Sequence, residues 1–300
     1  MKQYNNFLNI PPEYSAFEKS KAVVIPFEYE ASTTYGSGTK RGPEAIISAS
    51  SQVELFDEEL EKEAYKEAGV CTIPELKYKT GHDFYLPLAD KTAEILALKK
   101  FPVILGGEHT ITFGGIMGAK EKYKNFSVLH FDAHADLRDT YEDNKFSHAC
   151  VMRRVSELKE VKNLVQVGIR NISNEKKEGS EFDFYKKNSD KIKIFWARDK
   201  EKWDMENILQ GLKKDVYLTF DVDVFDPSIM PSTGTPEPGG LYWNEVLKIL
   251  KQVFLKKNII AADIVELCPI KDFSAPDFMI AKLIYKIIGY KFLLGKEKHV

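Results

Sequence analysis

The chain has 300 residues, of which 43% are hydrophobic and 29% charged. That is enough for a large packed core and too apolar for a disordered chain. Its formal net charge of -2 excludes the strongly basic footprint of a nucleic-acid binder.

Short apolar runs alternate with amphipathic stretches along the whole length. The expected strands are Ala22–Phe27, Pro102–Leu105, Ser127–Phe131, Leu164–Ile169, Ile192–Trp196, Val216–Phe220 and Ile259–Val265. Each is nearly continuous in hydrophobic residues, as in strands covered on both faces. Val246, Leu247, Leu250, Val253 and Phe254 recur at helical spacing and predict one greasy helix face. Ser274-Ala-Pro-Asp277 predicts a helix start with a capping box. The polar stretches Asn174–Gly179 and Lys186–Lys191 read as loops or solvated helix faces. Strand–helix alternation at this rhythm predicts a mostly parallel sheet with helices on both faces. With no repeat, linker or break in composition, a single domain over 1–300 is expected. Cys71, Cys150 and Cys268 are far apart, which fits a reducing compartment and no disulfide framework. The start, MKQYNNFLNIPPEYS, has no apolar core of signal-peptide length. No window approaches the roughly 20 apolar residues of a membrane span, so a cytoplasmic location is expected.

Ligands of open parallel sheets bind beyond the carboxyl ends of the strands, and three expected strands end in metal-ligand chemistry. The first runs into Gly106-Gly-Glu-His109, where the paired glycines let the backbone turn and carry His109 to the sheet edge. The second runs into His130-Phe-Asp-Ala-His-Ala-Asp136. In extended backbone Asp132, His134 and Asp136 share a side, and clustered buried charges there demand a cation. His130 lies deeper and reads as a hydrogen-bonded core histidine. The third runs into Asp221-Val-Asp223, again one side of an extended stretch, while Asp226 before a proline reads as a turn cap. The set His109, Asp132, His134, Asp136, Asp221 and Asp223 is rich in carboxylate and lacks cysteine, which favours a hard or borderline ion. Six donors exceed the three that hold one catalytic zinc and predict two ions, with manganese(II) the natural choice.

These segments, with Ser147-His148, DVDVFDPSIMPSTGTPEPGGL at Asp221–Leu241 and VELCP at Val265–Pro269, resemble in order the ureohydrolase (arginase/agmatinase) family over nearly the whole chain. The PEPGGL ending is more similar to agmatinases. The resemblance implies a three-layer α/β/α sandwich around a sheet of about eight strands, two Mn2+ per subunit, and homotrimers or homohexamers. It implies that Asp132 and Asp221 bridge the metals, His109 and Asp136 completing one site and His134 and Asp223 the other. His148 would carry a proton, Glu266 would pair with the guanidinium, and Thr235 would line its pocket. The activity implied is agmatine plus water to putrescine plus urea. N1-aminopropylagmatine is the nearest alternative, followed by guanidinobutyrate, arginine and formimidoylglutamate. Arg138 and Ser173 stand where arginases carry groups that grip the amino-acid end, and Asp139, Glu142 and Asp143 are expected to favour a cationic tail. A histone-deacetylase-like hydrolase would need tandem histidines, and no His-His pair occurs. A catalytically silent regulatory subunit would be expected to have lost a ligand.

Overall fold

The computed structural model describes residues 4–32, 35–79, 81, 83–177 and 179–294. Eight strands form one sheet: β1 (Ala22–Phe27), β2 (Val70–Thr72), β3 (Phe101–Gly106), β4 (Phe126–Phe131), β5 (Val161–Ile169), β6 (Ile192–Trp196), β7 (Asp215–Asp221) and β8 (Asn258–Val265). Every pairing is parallel, in the order β2-β1-β3-β8-β7-β4-β5-β6. Seven of these strands match the apolar runs to within a few residues. The eighth, β2, is a three-residue edge strand too short to carry a pattern of its own.

Alternate strand residues feed opposite faces. Leu129, Phe131, Leu218 and Phe220 pack with Ile46 of the helix Gly42–Ser50, Val246 and Leu250 of Trp243–Lys256, and Ile280 and Ile284 of Ala275–Leu293. On the other face, Val128, Leu164 and Tyr217 meet Ile116 of the helix Thr112–Lys122 and Val151 and Val155 of Val151–Glu157. Nearer the β1 edge, Val23 and Ile25 pack with Leu88 and Ile95 of the helix Leu86–Ala97. The result is three layers, helix–sheet–helix. Among the described residues, no helix is long and apolar enough to cross a membrane.

The helix beginning at Ala275 is present, but its expected capping box is not. Ser274 makes no side-chain cap hydrogen bond, and Oδ1 of Asp277 is buried without a partner. Pro276 in the first turn, which lacks an N–H and presets φ, is sufficient to start the helix there. The same helix carries Lys286, 1% exposed, whose ammonium donates to Asp57 (2.9 Å) and Glu59 (3.1 Å), tying the last helix to the 57–62 turn. Of the two polar stretches, 174–179 is loop (Glu178 lies outside the described residues), and 186–191 is a helix end and turn.

Strand order places the chemistry. Strands β3, β8, β7 and β4 are consecutive neighbours, and their carboxyl ends lead to His109, Glu266, Asp221 and Asp132 respectively. At roughly 4.8 Å between strands, four neighbours span only about 14 Å. Segments separated by more than 100 residues therefore converge on one patch.

Candidate metal centre and guanidinium cleft

The glycines before His109 act by close approach. A Cβ on Gly107 would stand 1.9 Å from the Tyr29 carbonyl oxygen, and one on Gly106 would press on Ile111 and Val265. Neither has a positive φ, so the expected conformational role is replaced by a steric one. With the chain admitted there, His109 opens a short 3-10 turn that runs into the helix Thr112–Lys122.

His109 Nδ1 lies 3.0 Å from Asp132 Oδ2, 3.2 Å from Asp136 Oδ2 and 3.3 Å from Asp221 Oδ2. His134 Nδ1 lies 2.9 Å from Asp223 Oδ2 and 3.5 Å from Asp132 Oδ1. All six expected ligands thus meet, Asp132 facing both histidines. The extended geometry expected after β4 and β7 is kept only in part: Asp221 is extended and His134 bridges Asn171 in parallel. Strand β4 ends at Phe131, and Asp136 is left-handed at φ 52°. Asp223 sits in a 3-10 turn, its N–H donating to Asp221 Oδ1 at 2.8 Å. The carboxylates gather because the backbone curls and its own N–H groups hold them. His134 N–H donates to Asp132 Oδ1 (2.5 Å) and Ala133 N–H to Asp223 Oδ1 (2.9 Å). Asp226 accepts from Ser228, Gly239 and Gly240 N–H and closes its turn away from the cluster.

The cluster is electrostatically unsettled as it stands. Burial opposes charge on His109, yet Asp132, Asp136 and Asp221 outweigh it and hold its pKa well above the ordinary value. Burial, then the neighbouring Asp132, pushes Asp136 up to about 7. Burial, then Asp223 and Asp132, holds Asp221 well above the carboxylate range. His109 Nδ1 is buried and makes no well-aligned hydrogen bond with the three oxygens around it. A ring nitrogen and several anionic oxygens aimed at one buried point are the donor set of a cation. Two overlapping groups could hold metal: His109, His130, Asp132 and Asp136, and Asp132, His134 and Asp223. The residues therefore fit metal ions.

A cleft of about 190 Å3 opens over the cluster, lined among others by Arg138, Tyr141, His148, Thr235, Glu237 and Glu266. Glu266 follows β8 in left-handed conformation, φ 65°, and its Oε1 accepts from His109 N–H at 2.6 Å. Non-glycine residues held at positive φ cost roughly 1–3 kcal/mol and cluster at working sites. Burial, then the nearby Glu108, pushes Glu266 up to about 8. Burial, then His109 and His134, pushes His148 down to about 4. Arg138 lies 5.2 Å from the Tyr141 ring, and its backbone N–H bonds Ala149.

The expected tail acids are elsewhere. Asp139 turns to Arg154 (2.6 Å), and Glu142 and Asp143 are exposed at the tip of the Tyr141–Asn144 turn. None of the three lines the cleft, because the helix Val151–Glu157 supplies arginines that draw Asp139 outward. Besides Glu266 and the aspartates of the cluster, the acids that line it are Glu181 and Glu237. Glu181 is fixed by Leu137 N–H (2.7 Å) and Ser173 N–H (2.6 Å), and Glu237 by Asn171 Nδ2 (2.5 Å).

Residues 20–289 match the family model described as the arginase family. The chain belongs to the arginase family. An N(1)-aminopropylagmatine ureohydrolase from Synechocystis is 36% identical over 306 residues, covering 97% of this chain and 97% of its own. An agmatinase from Bacillus cereus is 31% identical over 267 residues, 87% of this chain and 88% of its own. The crystal structure of agmatine ureohydrolase from Thermoplasma volcanium shares the fold, with a TM-score of 0.82 at 24% identity over 97% of this chain and 95% of that one. As an arginase-family ureohydrolase, the protein is a hydrolase of amidino C–N bonds.

This ureohydrolase also uses residues that motif reading passed over. Gln166 Nε2 donates to the Ala135 carbonyl (2.7 Å) and to His130 Nδ1 (2.9 Å), so His130 carries its proton on Nε2 and donates it to Asp132 at 2.7 Å. Thr219 Oγ1 lies 3.0 Å from His109 Nε2. Behind it, Tyr217 donates to buried Asp263 at 2.7 Å. Arg170 bonds the carbonyls of Gly168, Asp223, Phe225 and Glu237, fastening the Asp223 turn to the PEPGG loop. Gln166, Thr219 and Asp263 each interrupt an apolar strand, and that polar interruption is the signal by which they could have been found.

Proposed function

We propose that the protein is a two-manganese ureohydrolase that releases urea from a guanidino compound with a cationic tail, N1-aminopropylagmatine ahead of agmatine. The observation that carries it is the convergence of six His and Asp ligands with Glu266 at the ends of four adjacent strands. His109, Asp132, Asp136 and Asp221 would hold one ion and His134, Asp223 and the shared Asp132 and Asp221 the other. The set is dominated by carboxylate, which suits Mn2+. When bound, a divalent metal pair acidifies water and so supplies the strong nucleophile that a resonance-stabilised guanidinium demands at neutral pH.

The chain's own groups do the rest. Glu266, raised by burial and Glu108, is relieved when a planar cation arrives, and charge-assisted hydrogen bonds orient that cation. Thr235 lines the same pocket. His148 rests neutral, so it begins as the acceptor of the proton released as water attacks. It then delivers that proton to the departing amine, which leaves only when protonated. Glu181 and Glu237 on the cleft wall favour an amine tail over a carboxylate. Two acids, rather than one, suit the longer polyamine, and the Synechocystis relative is named for it. A homotrimer or homohexamer in the cytoplasm remains our expectation for the assembled enzyme, to be checked by light scattering.

The test is urea release by Mn2+-loaded protein from N1-aminopropylagmatine, agmatine, arginine, guanidinobutyrate and formimidoylglutamate. The expected order of kcat/KM puts N1-aminopropylagmatine first and arginine far below. Glu237→Gln should lower it more for the aminopropyl compound than for agmatine. Urea from none of them would refute the activity, and a preference for guanidinobutyrate would make Arg138 a carboxylate clamp.

A further inference from the structure

Glu108 separates the glycine pair from His109, and its carboxylate is wholly buried. Four donors reach it. Ala31 N–H and Ser32 N–H donate to Oε2 at 2.6 and 2.7 Å. The hydroxyls of Ser32 and Thr110 donate to Oε1 at 2.7 and 2.5 Å. Four donors fill the acceptor sites of a carboxylate. The Ser32 hydroxyl therefore has its one hydrogen committed to Glu108, and its oxygen can only accept from anything else.

Two groups of His148 come to that oxygen, the backbone N–H at 3.2 Å and the ring Nδ1 at 3.2 Å. An oxygen that can only accept requires Nδ1 to be the nitrogen that carries hydrogen. A neutral imidazole holds one proton, on either nitrogen, and the bond made by one nitrogen decides the state of the other. The Tyr141 ring stands edge-on to the imidazole, 5.6 Å between centroids, and limits its rotation. We propose that Ser32, clamped by Glu108, is a positioning residue that holds His148 as the Nδ1–H tautomer and keeps the proton-accepting lone pair on Nε2. The clamp reaches His148 from the loop after β1 and is anchored one residue from a candidate metal ligand. The proton carrier and the metal centre are thereby held in one frame.

This inference rests on His148 being the proton carrier, and the experiment separates the two. Histidine 15N spectra of protein loaded with diamagnetic Zn2+ report the tautomer directly, the His148 signals being assigned by their loss in His148→Gln. The expected result is a protonated Nδ1 in the parent and loss of that preference in Ser32→Ala. In Mn2+-loaded enzyme, Ser32→Ala should lower kcat about ten-fold, the weight of one hydrogen bond, with KM and metal content nearly unchanged. Ser32→Thr, which keeps the hydroxyl, should restore most of the rate. A protonated Nε2 in the parent, or a Ser32→Ala protein with unaltered tautomer and kcat, would overturn the inference. If His148→Gln turns over normally while the spectra still follow Ser32, the proton-carrier reading fails and the positioning contact stands.

Discussion

Thr219→Val tests whether the metal centre is tuned from behind. Thr219 and Val have nearly the same shape, so the buried strand β7 keeps its packing and loses only a hydroxyl. That hydroxyl lies 3.0 Å from His109 Nε2 and 3.1 Å from Thr112 Oγ1. With Nδ1 facing three carboxylates, Nε2 is the nitrogen that bears the proton, and Thr219 is its acceptor. Groups that receive the far N–H of a ligand histidine fix its tautomer and orientation, and losing one typically weakens metal affinity by about 10- to 100-fold. That corresponds to about 1.4–2.7 kcal/mol. A lost buried hydrogen bond that strands its donor costs about 1–3 kcal/mol, so the two routes agree. The assay is Mn2+ titration by calorimetry, alongside urea release at saturating metal. Affinity should drop by one to two orders of magnitude, and most activity should return at high Mn2+. Unchanged affinity in a folded variant would refute the reasoning, and so would an activity loss that metal does not rescue.

Asp132→Ala should remove both metals and the activity together, because Asp132 faces both His109 and His134; elemental analysis showing one ion still tightly held would sink the shared-ligand arrangement. Lys286→Met strands the buried Asp57, and breaking a buried pair costs about 3–5 kcal/mol. For a chain this size that lowers the melting temperature by roughly 5–8 °C, and calorimetry should show much of it regained in the double variant with Asp57→Asn. Burial raises Asp277 to about 6, so the folded state holds its proton more tightly than the unfolded state does. Its contribution to stability is therefore complete below the unfolded value near 3.9 and is lost as pH rises through about 6. Asp277→Asn should thus stabilise the protein at pH 7, by about 1–2 kcal/mol after discounting for solvent screening, and make no difference at pH 3; equal denaturant midpoints at pH 7 would contradict this.

Seven strands were legible because burial on both faces writes itself as an uninterrupted apolar run, as in Val216–Phe220. The ligand types were legible because carboxylates and imidazoles directly behind such runs have few purely structural uses. Sequence by itself thus determined the layered parallel architecture and singled out six side chains that the fold gathers at one patch. It misjudged how they converge, since Asp136 is left-handed and Asp223 sits in a turn closed by its own N–H on Asp221, with its carboxylate taken up by Ala133 N–H from just past the end of β4. It also misplaced the acids of the cleft. Asp139 is adjacent in sequence but is drawn outward by Arg154, whereas Glu181, distant in sequence, is folded inward by two backbone donors. Only the tertiary structure could decide these. Local pattern sets which residues are buried, but the order β3-β8-β7-β4 and the partner that each polar group meets are properties of pairings between segments far apart in the chain.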